Sequence, residues 1–144
     1  MSIIKMVTSS VGALTVVSSQ IDIPAAGVIR TIAGGLTVTQ DATPAAQDSV
    51  IAELSFLSTS TFTTNDARGS LCQVSWGLTF QDAARLITHG VHFCVLTPIA
   101  VKVAAGERMF LHLQANQTDI VANTVFYLFV DDGIDVARSQ VRRR

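Results

Sequence analysis

Charge is what this sequence has least of. Asp, Glu, Lys and Arg make up 15% of its 144 residues and sum to a net −1, where an ordinary soluble domain carries about 25% charged residues. With 49% apolar residues, the chain has too little polar surface to cover itself as a monomer. Either a β-rich fold with a Ser/Thr skin or cover by partners answers this, and both are expected, the partners being first of all copies of itself. Scarce positive charge also argues against wrapping nucleic acid, since phosphate neutralisation drives that binding. Residues 1–70 offer only Lys5, Arg30 and Arg68 as bases, against Asp22, Asp41, Asp48, Glu53 and Asp66.

Cysteine is equally sparse. Cys72 and Cys94 stand alone, and without a CxxC spacing they exclude a zinc ribbon or a redox motif. Two buried thiols are the expectation, and a Cys72–Cys94 disulfide is the alternative. Trp76 and Tyr127 are the single Trp and Tyr. Both fall in apolar strand patterns, which leaves no exposed ring on which a sugar could stack. No stretch approaches the ~20 apolar residues of a membrane span, because Lys102, Glu107 and Arg108 interrupt the longest candidate. The opening Met1-Ser2-Ile3-Ile4-Lys5 has no long apolar core to follow and reads as mature structure, not a signal peptide.

A nucleophile elbow, a phosphate loop and a dinucleotide fingerprint are all absent. No enzyme and no cofactor are expected. His89 and His92 stand three apart and His112 lies on a later strand, a set that does not supply convergent metal ligands. All three are expected to be ordinary hydrogen-bonded histidines. Asp131, Asp132 and Asp135 crowd the end of the last strand. They read as a solvated turn, with calcium at a subunit contact as the sharper alternative.

What is present is a recurrence of strand signals every eight to fourteen residues or so, the mark of a β-sandwich. The run Gly12–Ile23 stops at Pro24, and Gly34-Gly35 suggests a bulge or bend within a long strand at 27–39. Leu71–Leu78 alternates, which puts Cys72, Val74, Trp76 and Leu78 on one face, taken as the core. Phe80–Ile87 is the one helical pattern, so a short helix is expected near 80–88. The runs from Val101 to Asn116 and from Thr124 to Gly133 read as paired antiparallel strands, with Phe110, Phe126 and Leu128 in the core. Eight strands at this spacing predict an all-β, two-sheet antiparallel sandwich over 13–136, pointing to a jelly roll, with another β-sandwich topology as the alternative. Residues 1–12 form an N-terminal arm or edge strand. There Ile3, Ile4, Met6 and Val7 are candidate assembly residues, because an apolar segment of this kind invites addition to a neighbour's sheet. Residues 137–144 are a basic tail. Its Arg142, Arg143 and Arg144 act either as a solubilising terminus or as a contact for nucleic acid or an acidic partner.

The stretch Thr97–Leu113, with Ala105-Gly106-Glu107-Arg108 turning between apolar runs, resembles the penultimate strand pair of small viral jelly-roll proteins. Val125-Phe126-Tyr127-Leu128-Phe129-Val130 is similar to their final strand. The resemblance covers about residues 90–132, and heads of the tumour-necrosis-factor and complement type share the same turn. It implies a virion structural protein, a capsid shell or cement component that assembles as trimers or larger symmetric rings and meets other virion proteins. Those capsid proteins open with a basic arm and this chain does not, so the likeness favours protein–protein contacts over genome packaging. A trimeric fibre head that recognises a receptor or carbohydrate is the alternative.

Overall fold

In the computed structural model, residues 1–11, 15–40, 48–62, 69–78, 87–116 and 120–133 are described. They form nine strands in two antiparallel sheets packed face to face. Sheet A runs in the order β1 (Ser2–Val11), β9 (Ile120–Asp131), β3 (Gly27–Gln40), β6 (Ile87–Leu96), and the short β7 (Val101–Val103) also pairs β3. Sheet B runs β2 (Val17–Asp22), β8 (Arg108–Ala115), β4 (Asp48–Ser55), β5 (Ser70–Leu78). With β7 set aside, the first strand pairs the last, the second the seventh, the third the sixth and the fourth the fifth. That nesting is the eight-stranded jelly roll.

Period-two alternation builds the layers. Along β9, Ile120, Ala122, Thr124, Phe126, Leu128 and Val130 are buried while the intervening residues are more open. Ile29, Ile32 and Leu36 of β3 join them from sheet A, and Met109, Leu111 and Leu113 of β8 close the core from sheet B. Cys72 and Val74 are buried on the face that alternation assigns to them. Two inward hydroxyls are satisfied by backbone: Thr124 donates to the Gly35 carbonyl at 2.9 Å, and Thr8 reaches across the sandwich to the Leu111 carbonyl at 3.2 Å.

Several expectations need correction. The runs 101–116 and 124–133 are not partners, because β8 lies in sheet B and β9 in sheet A, facing each other across the core. A jelly roll sends most connections from one sheet to the other, and here only β4 and β5 are both sequential and paired. The turn at Gly106 (φ 78°) accordingly carries the chain from β7 in one sheet to β8 in the other. Gly34 marks no bend. It sits inside β3 directly opposite Phe126, and a Cβ there would lie 2.3 Å from that ring. The register shifts of β3 fall instead at Ile29/Thr31 and Leu36/Val38.

Phe110 is half-buried rather than in the core, because Met109 and Leu111 take the inward positions of β8. The expected helix lies largely outside the described residues, but its last two positions, Ile87 and Thr88, belong to strand β6. The backbone of Trp76 belongs to β5, while its side chain lies outside the described residues. Among the described residues there is no helix, and hence none long and apolar enough to cross a membrane.

Candidate functional site

The outer face of sheet B holds a buried polar cluster. Register places Ser18 of β2, His112 of β8, Glu53 of β4 and Gln73 of β5 in one row across the four strands. Outward residues of a two-layer sandwich normally meet water, yet His112 and Glu53 are fully buried. The cause is the segment 56–62 that follows β4 and lies across them. Thr61 donates its backbone N–H to Glu53 Oε1 at 3.0 Å and its hydroxyl to Oε2. The same Oε2 accepts from Ser70 Oγ at 3.1 Å and from Gln73 Nε2 at 2.6 Å. His112 Nε2 meets the Leu57 carbonyl at 2.9 Å and Nδ1 meets Ser18 Oγ at 2.6 Å. A carbonyl only accepts, so in the neutral ring Nε2 carries the proton and the Ser18 hydroxyl donates to Nδ1. Phe110 stacks parallel to the imidazole at 6.0 Å, and Phe62 meets its edge at 6.5 Å.

Burial alone would push the Glu53 carboxyl up. The hydroxyl of Thr61, the amide of Gln73, the Thr61 N–H and the Ser70 hydroxyl together outweigh it, and the carboxyl is held below its ordinary value. Both oxygens and both ring nitrogens are thus engaged within the chain. The cluster fastens segment 56–62 to the sheet and leaves none of these four atoms turned toward a substrate.

Sheet A presents the opposite chemistry. Register sets its outward residues in rows: Ile3, Phe129 and Thr31, then Lys5, Tyr127, Ala33 and Val95, then Val7, Val125 and Gly35, then Ser9, Asn123 and Thr37. Ile3 is 62% exposed, Val95 59%, Val7 50% and Tyr127 36%. Lys5 is the one charged side chain in these rows, and its ammonium lies 5.9 Å from the centroid of the Tyr127 ring.

The four assembly candidates divide between the two sides of β1. Ile4 and Met6 are buried in the subunit's own core, and Ile3 and Val7 point outward. β1 itself pairs with β9 of the same chain along its whole length. The acidic turn is divided too. Asp131 lies 3.8 Å from the Arg30 guanidinium, while Asp132 accepts from the Ser2 hydroxyl and from the Met1 amine, the latter at 3.4 Å. No group of three metal-ligating side chains occurs among the described residues. Cys72 is buried in the core. Asp135 and Arg142, Arg143 and Arg144 lie outside the described residues, as do the side chains of Cys94, His89 and His92. Sequence reasoning passed over the Glu53–His112 pairing, because only the β4–β8 register joins residues so far apart.

No family model matches this chain, and no characterised protein sequence does. Among solved structures, the Eiger TNF of S. frugiperda is similar at 12% identity and a TM-score of 0.38, over 78% of this chain and 65% of that one. The chain thus spans slightly under two thirds of that structure's length.

Proposed function

We propose that this chain is a structural subunit that acts by self-assembly, as a capsid-shell or capsid-stabilising cement component of a virion, and that it carries no enzymatic activity. The observation that supports this reading is the open apolar face of sheet A, in a sandwich whose other outer face is polar and overlaid. Monomeric proteins rarely leave a contiguous apolar patch uncovered. The 15% charge of the whole chain points the same way. Native mass spectrometry of the purified protein at micromolar concentration tests it. Symmetric oligomers are expected. A stable, soluble species of 15.3 kDa would overturn the reading.

One observation favours a second reading. Tyr127 was expected to be buried, yet its ring is exposed on this same face. It could stack on a sugar if the sandwich were a fibre head that binds a carbohydrate. A glycan-array signal abolished by Tyr127→Ala would support that alternative, and a blank array would remove it.

A further inference from the structure

We infer that the outer face of sheet A is the docking surface for a second copy of this chain, packed sheet against sheet. The inference rests on the proposed self-assembly and specifies the surface that performs it.

Size is the first argument. Four strands about 4.8 Å apart, with about ten residues each rising ~3.4 Å, give the whole outer face of sheet A, apolar and polar rows together, on the order of 650 Å² per copy, or about 1,300 Å² between two. Specific protein interfaces bury about 1,200–2,000 Å² in all, so this face alone reaches that range.

Charge is the second. Lys5 is the one charged side chain within the rows, and its ammonium is drawn over Tyr127. Among the described residues, the other charges on this side gather at one end, where Arg30 and Asp131 lie 3.8 Å apart and Lys102 of β7 stands opposite Val28. A face of this kind has no field to complement on an acidic or basic partner. Its best match is another apolar sheet, and twisted sheets pack face to face at about 10 Å by interleaving their side chains. A homotypic contact also uses each residue twice, so a modest patch yields a closed pair.

The third argument is the contrast with sheet B. Its outer face carries Ser18, Gln20, Gln73 and Ser75 in the open and is crossed by segment 56–62. A second copy would find there neither a flat surface nor an apolar one.

The test pairs Val7→Lys with Val95→Lys in the full chain and uses Ser75→Lys, on the outer face of sheet B, as the control. Val7, Val95 and Ser75 are all exposed, so the folds should persist, which circular dichroism checks. Should the lysines unsettle the strands, Val7→Thr with Val95→Thr keeps a β-branched shape and removes the apolar contact. Sedimentation velocity should show an associated wild type, an association constant at least tenfold weaker for the paired variant, and no change for the control. If the wild type and the paired variant associate equally, the docking face is wrong while self-assembly stands. A monomeric wild type overturns both. A monomer that floats with phosphatidylcholine vesicles gives the face to a lipid surface and likewise overturns the inference.

Discussion

Glu53 and Phe126 show how single residues hold this fold in different ways. The Glu53 carboxyl titrates below its unfolded value of about 4.5, so its stabilisation is fully present above that pH and is lost as pH falls through the lower folded-state value. Thermal midpoints of the wild type should therefore drop as pH falls below about 4.5, and Glu53→Gln should flatten that drop. An equally steep acid loss in the variant would assign the effect to other groups. At neutral pH, Glu53→Ala strands the buried donors of Thr61, and each buried group left unsatisfied costs about 1–3 kcal/mol, while the exposed Gln73 amide can turn to water. Phe126, fully buried opposite Gly34, acts through packing alone. Phe126→Ala should lower stability by about 3–5 kcal/mol in urea titrations, and an unchanged midpoint would contradict the core described above.

At the scale of strands, Gly34 and Phe126 act as a pair. Gly34→Ala places a methyl against a ring that has nowhere to retreat, and overpacking of this kind costs about 1–3 kcal/mol. Combining it with Phe126→Leu should recover part of that loss. A double variant no more stable than the sum of the two losses predicts would separate the two sites. The same pair shows what sequence could and could not convey. The alternation of β9 and β5 was readable, because each inward position repeats every second residue. The meaning of Gly34 was not, since a glycine reads alike whether it bends a strand or makes room for a ring on a neighbour 92 positions away. Phe110 was misplaced for a related reason. Its large apolar ring suggests the core, yet Met109, Leu111, Leu113 and Ala115 take the inward positions of β8, and Phe110 stands outward with Arg108, His112 and Gln114, half-buried against the His112 ring. Glu53 and His112 were each visible as residues, but their meeting is a product of register.

For the molecule as a whole, the decisive element is β1. Read from sequence it was an arm or an edge strand, and the structure makes it the edge of sheet A, with Ile4 and Met6 in the core. Deleting residues 2–8 should therefore disrupt the subunit itself: two core side chains go, at about 2–5 kcal/mol each when cut to Ala, and the edge of β9 is laid bare. Loss of a cooperative thermal transition is the expected result. A shortened chain that melts like the wild type would show the β1–β9 ladder to be dispensable. That ladder also has a consequence in time. β9 is the last of the described strands to leave a ribosome, and it lies between β1 and β3, joining Ser2 to Val130 and Val28 to Asp131. Until it emerges, β1 has no neighbour in its sheet, and β3, already beside β6 and β7, lacks the partner on its other side. Such non-local topology folds in milliseconds to seconds rather than microseconds. The nascent chain is consequently most prone to aggregate just before synthesis of β9 is complete.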